Sequence, residues 1–142
     1  MPTDFQQSCV VIEECYEFTL SYAAQGHAGE AGGAPEARVR EHLRRAAAAI
    51  AGLAADGMAA IATAGLAPAE PHAAFFAVLG EEARRALAAL ELVLAQPAIS
   101  SQLMDSLNAS LHLRALLADM FLAAEVLEAR DAAQQAPAPA AR

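Results

Sequence analysis

Two groups of side chains in this sequence are of the types that bind metal ions. Glu13, Glu14 and Glu17 stand together near the start. Asp105, His112 and Asp119 are each seven residues apart, a spacing that sets them on a roughly common helix face. Carboxylate and imidazole are ordinary ligands for divalent transition metals, and facing helices can aim them into a shared core. The ligand set this reading names is Glu13, Glu17, His112 and Asp119. Bundles that hold two metal ions usually carry Glu-x-x-His on two helices, because that spacing puts both ligands on one face. The sequence contains no Glu-x-x-His. The competing reading of the Asp-His-Asp line is a solvated stripe on a long helix.

His42 suggests a different chemistry. It is followed by Leu43-Arg44-Arg45-Ala46-Ala47, with Gly52 ten residues on. This stretch resembles the phospho-acceptor helix of histidine-phosphotransfer domains, which are acidic helical bundles of about this size. The resemblance implies that His42 accepts phosphate and that Arg45 stabilises it by charge. The sequence departs from that pattern at Ala46, where glycine is usual, and at Leu43, which comes one position early. The competing reading is an ordinary exposed histidine beside Glu41 and Arg45.

Cys9 and Cys15 lie on the segment Cys9 to Gln25, which is similar to the first helix of cysteine-rich four-helix copper-storage proteins. Those proteins need many inward thiolates, since Cu(I) prefers soft sulfur. Two cysteines are too few, and burial as small apolar residues is the expected role. Six residues apart on one helix they are rotated by about 240°, so a disulfide between them would be strained. Reduced thiols point to a cytoplasm. Nucleophilic catalysis has no visible handle: Gly-x-Ser-x-Gly and a phosphate loop are both missing. No catalytic chemistry is evident, which leans against an enzyme without deciding it, and no cofactor is expected, a transition metal entering only with the metal-binding alternative.

Composition narrows the field. The chain has 142 residues, which suits one domain, and carries a net charge of −8. Every basic side chain is arginine. The acidic balance argues against nucleic acid, whose phosphates need a basic face, and against anionic membranes. Hydrophobic residues make up 56% of the sequence but aromatics only 5%. Much of the apolar content is alanine, which favours helix while burying little area. The longest apolar run, Ala46 to Ala55, is too short to span a bilayer. The first residues lack the basic stretch of a signal peptide.

Four long helical stretches must position all these groups. The first runs from a cap at Thr3 or Asp4 to about Gln25, with apolar stripes Phe5, Cys9, Ile12, Tyr16, Leu20, Ala23 and Val11, Cys15, Phe18, Tyr22. A glycine-rich loop, Gly26 to Pro35, follows. The second helix is expected over Glu36 to Ala64, with Val39, Leu43, Ile50, Leu53 and Ile61 inward and Met58 beside them. Gly52 and Gly57 mark close packing or, at Asp56-Gly57, a break. After Gly65 to Pro71, a third helix is expected over His72 to Gln96, with stripe Phe76, Leu79, Ala83, Leu87, Leu90, Leu94. Glu81 and Glu82 precede Arg84 and Arg85 at ion-pair spacing on a solvated face. Pro97 stops that helix. A last helix starts near Ala98 or a cap at Ser100 or Ser101 and runs unbroken to Ala133. Its inward side holds Ile99, Leu103, Leu107, Leu113, Leu117, Met120, Ala124 and Leu127, with Ser106 and Ser110 on the same side.

The fold these elements predict is all-α: an antiparallel up-down-up-down four-helix bundle over residues 1–133. A disordered Pro/Ala-rich tail is expected over 134–142. The leading functional expectation is a small cytoplasmic protein that works by association with a protein partner or with itself. Phe18, Tyr22, Leu116 and Phe121 are its expected contact residues, because helices one and four carry the large apolar side chains. The alternatives are the ferritin-like metal bundle and the His42 phosphotransfer module.

Overall fold

A computed structural model describes residues 4–29 and 32–135. Among the described residues the chain is all helix, with five helices and no strand. They are α1 (Asp4–Ala24), α2 (Ala34–Ala64), α3 (Ala69–Leu94), α4 (Ser101–Asn108) and α5 (Leu111–Gln135). The expected fourth helix is therefore two. The predicted cap at Thr3 lies outside the described residues. So do residues 136–142 of the predicted tail, while Gln134 and Gln135 belong to α5.

Contacts run in a ring. Helix α1 packs on α2, α2 on α3, α3 on α5, and α4 on α1. The core fills the ring with Phe5, Ile12, Leu43, Leu53, Phe76, Leu79, Leu90, Ile99, Met104, Leu116 and Met120. The buried stripe of α1 is Phe5, Cys9, Ile12, Cys15, Thr19 and Tyr22. It begins on the first predicted stripe and crosses to the second at Cys15. Leu20 is left 45% exposed, and Thr19 takes the inward place. In α3 Ala86 and Val93 are buried where Leu87 and Leu94 were expected, and those leucines pack at the core's edge.

Helix α2 holds its predicted core of Val39, Leu43, Ile50 and Leu53 and does not break at Gly57. A Cβ at Gly57 would stand 2.7 Å from Phe76 Cδ1 and 3.5 Å from Phe5 Cδ2. Three helices meet there, and only a hydrogen side chain fits. Met58, expected beside the core, is 47% exposed. By length and mean hydropathy α2 passes the test for a bilayer-spanning helix. Val39, Leu43, Ile50 and Leu53 are spent on the core, however, and the outer face of its first half carries Arg38, Arg44, Arg45 and Glu41. That is the pattern of an amphipathic core helix.

The break between α4 and α5 falls at Ala109-Ser110. Ser110 N–H donates to Leu107 O, closing α4, and Ser110 O accepts Arg114 N–H, opening α5. Asn108 ends α4 buried, its side chain bonded to Thr19 of α1. Ser100 caps α4 by accepting Leu103 N–H at 3.0 Å. Ser101 instead turns inward, where it donates to Tyr22 O and accepts His27 N–H, both at 2.7 Å. At the same end Arg40 donates to Leu94 O and Gln96 O, the bare carbonyls that follow α3.

Candidate functional site

The four expected metal ligands do not come together. Glu13 and Glu17 lie on α1 and His112 and Asp119 on α5, two helices that touch only lightly. Among the described residues no group of three or more His, Cys, Asp or Glu side chains is placed to hold a metal ion. Glu13 and Glu17 are neighbours, and partial burial followed by the Glu17 charge pushes the Glu13 carboxyl up. Asp105 is exposed.

His112 and Asp119 do meet an acid that the sequence hid. Glu82 of α3 sits between them and Arg85. Its Oε2 is 3.9 Å from His112 Nδ1, and its Oε1 is 3.5 Å from Arg85 Nη1. Burial, then the Glu82 charge, pushes the Asp119 carboxyl up. Glu82 looks like a surface partner for Arg85 in sequence, because i,i+3 spacing is local. Its approach to α5 follows only from how the two helices pack.

His42 does not stand free. Its ring stacks on Phe18 with centroids 4.0 Å apart and planes 15° apart. Both side chains are half-buried, and the stack fixes the α1–α2 seam. The cysteines are free and buried, and burial pushes both thiols up to about 12. A thiol held that high is a poor nucleophile and a poor metal ligand at neutral pH.

Of the four expected contact residues, Tyr22 and Leu116 are buried within the chain, at 3% and 0% exposure. Phe18 is engaged with His42, and Phe121 is 53% exposed. The largest side chains at helical spacing were claimed by the chain's own core. Large apolar side chains are exposed on several faces: Val10 and Leu20 of α1, Met58 of α2, Leu92 of α3, and Leu111 and Phe121 of α5. Along the α3–α5 seam Val78 of α3 and Leu122 of α5 are half exposed. Beside them lies an apolar groove of about 200 Å³, lined by Pro71, His72, Phe75, Phe76, Leu122 and Val126. Phe75 meets Phe76 edge-on, with centroids 6.0 Å apart, so the groove floor is aromatic. The double phenylalanine at 75–76 was the available signal: a one-sided stripe can bury only one of two consecutive residues.

Compared with protein-family models, with curated proteins and with solved structures, the chain matches none. The chain is an all-α protein whose α3–α5 seam carries the Glu82–His112–Asp119 group along part of its length and an apolar groove at Phe75, Phe76, Leu122 and Val126.

Proposed function

We propose that this chain is a self-associating helical-bundle protein that works through its α3–α5 face and carries no catalytic centre. The five helices are read as an antiparallel four-cornered bundle, with α4 and α5 sharing the last corner. The ring of helix contacts supports this reading. The setting remains a cytoplasm, for which the two unpaired thiols are the support.

The observation that carries the proposal is a projection and a recess on one face. Leu122 projects at the edge of the Phe75–Phe76–Val126 groove, whose lining it shares. A two-fold pairing needs the same patch to serve as both halves, so that each copy's ridge enters the other's groove. The occupant is therefore a second copy of this chain. Burial of aromatic and branched apolar surface drives the pairing, since exposed apolar patches rimmed by polar groups favour association.

Sedimentation velocity over a concentration series tests this. The wild type is expected to pass from monomer to dimer as concentration rises. Leu122→Asp and Leu122→Arg are expected to stay monomeric with unchanged helical circular dichroism, because the side chain is outside the core. A wild type that remains monomeric throughout, or variants that dimerise as well as it does, would overturn the reading. In the monomeric case a different protein becomes the partner to seek.

A further inference from the structure

The end of the molecule where the α1–α2 loop meets the α3–α4 loop holds a carboxylate with one oxygen unanswered. Glu36 is only 4% exposed. Its Oε1 accepts from Arg40 Nε at 3.0 Å and from Arg40 Nη2 at 2.8 Å. Its Oε2 is buried and has no hydrogen-bond partner among the described residues. Two cavities flank this side chain, and among the described residues Glu36 alone lines both. One, of about 340 Å³, is walled by Tyr22, Gly26, His27, Ala28, Gly33 and Pro35. The other, of about 470 Å³, is walled by Gly32, Ala37, Arg40, Arg44, Gln96 and Pro97.

A buried carboxylate oxygen without a donor is costly, and native proteins rarely keep one without a use. Packing cannot relieve it. Arg40 is already committed to Glu36 Oε1 and to Leu94 O and Gln96 O. Tyr22 spends its hydroxyl proton on Ile99 O at 2.7 Å. Lysine, the other side chain that brings a compact cationic donor, does not occur in the sequence. Among the described residues no donor answers Oε2, so a donor from outside can do so.

We propose that the 340 Å³ cavity is a binding site for a small organic amine, whose ammonium group donates to Glu36 Oε2. Three features select this class. An ionised donor makes the stronger bond to a carboxylate. Tyr22 and His27, stacked on each other with centroids 4.5 Å apart, wall the same cavity and give the carbon chain of the amine an aromatic surface to lie against. The net charge of −8 draws cations toward the molecule. The volume is that of an ordinary small-ligand site. Glu36 Oε2 is sealed by its neighbours, so the carboxylate turns about its terminal torsion as the amine enters, and the two Arg40 bonds to Oε1 shift with it. The arrangement is independent of the α3–α5 face.

The test is a titration of the ¹⁵N-labelled full chain with butylammonium chloride, and in parallel with butanol, which has a similar chain and no charge. Saturable shifts of the Tyr22, His27 and Gly33 amides are expected with butylammonium, and binding at least about tenfold weaker with butanol. Glu36→Gln, which keeps the shape and removes the charge, is expected to weaken the amine at least about tenfold. Arg44→Ala, in the other cavity, is expected to leave it unchanged. Absence of saturation in the wild type overturns the proposal, as does equal binding of amine and alcohol. Should Glu36→Gln fail to fold, the comparison of the two probes on the wild type decides alone.

Discussion

The Thr19 hydroxyl of α1 stands 2.9 Å from Asn108 Oδ1 at the end of α4, and it is a polar contact inside an otherwise apolar core. The same hydroxyl is 2.9 Å from Tyr16 O, so its single proton serves two acceptors while Asn108 Nδ2 has no partner among the described residues. A cavity of about 10 Å³ beside the pair, lined also by Cys15, Leu107 and Leu113, is about the size that holds one water. The pair fixes where α4 ends and lets α5 start in a new direction.

Removing one half of the pair is worse than removing both. Thr19→Val keeps the side-chain shape but leaves Asn108 without its partner, and should cost about 1–3 kcal/mol. The double variant Thr19→Val/Asn108→Leu should regain much of that loss, because no buried polar group is then stranded. Urea denaturation of the four proteins of this cycle measures the coupling. Losses that simply add would show that the contact carries no energy of its own.

The two glycines inside α2 should respond in opposite directions to the same substitution. A Cβ at Gly57 would stand 2.7 Å and 3.0 Å from ring atoms of Phe76, which is only 2% exposed and cannot retreat. Gly57→Ala should therefore destabilise by about 1–3 kcal/mol, more than the helix-propensity gain restores. At Gly52 the new Cβ would meet only Asp56 Oδ2, at 3.4 Å. Gly52→Ala should stabilise by about 0.5–1 kcal/mol. Thermal melts of both variants give the signs directly.

These contrasts show what periodicity discloses and what it withholds. Val39, Leu43, Ile50 and Leu53 of α2 follow from a 3.6-residue repeat and were legible, while Ile61 is only partly buried and the sequence offered Ser100 and Ser101 alike as the cap. The break in the expected fourth helix was not legible: its inward positions from Ile99 to Leu127, Ser110 among them, keep the three- and four-residue steps of one straight helix. Its cause was hidden, because Thr19 and Asn108 are 89 residues apart. Contact residues were misjudged for a related reason. Tyr22 and Leu116 have the size and spacing of an interface, yet those properties equally suit the core that took them. Glu82 read as an ordinary helix-surface acid, and only the meeting of α3 with α5 half-buries it; Glu36 marks only a helix boundary in sequence, and its burial comes from the meeting of loops.

Stability should depend on pH through Asp119. Partial burial and the facing Glu82 hold its carboxyl above the ordinary value of 3.8, with His112 and Arg85 the nearby basic groups. A raised carboxyl binds its proton more tightly in the folded chain than in the unfolded one. Its favourable contribution is thus complete below the unfolded value and is lost as pH rises through the folded one. Asp119→Asn removes this dependence. Denaturation midpoints for wild type and variant should differ most at neutral pH, the variant being the more stable, and converge toward acid. Parallel pH profiles would refute the assignment.

Cys9 and Cys15 should be silent until the fold opens. Both are buried, Cys9 at 5% and Cys15 at 6% exposure, and burial holds each thiol at about 12. At neutral pH almost no thiolate exists in the folded chain, and a reagent cannot reach it. A disulfide-exchange reagent added to native protein should label neither thiol on the time scale on which it labels both in denaturant. Because labelling then waits for opening, its rate under native conditions reports the opening of α1 from the core. A destabilising variant such as Gly57→Ala, which acts where α1, α2 and α3 meet, should accelerate labelling in proportion to its lost stability. Rapid labelling of the native wild type would mean that α1 is not held in the core as its buried stripe requires.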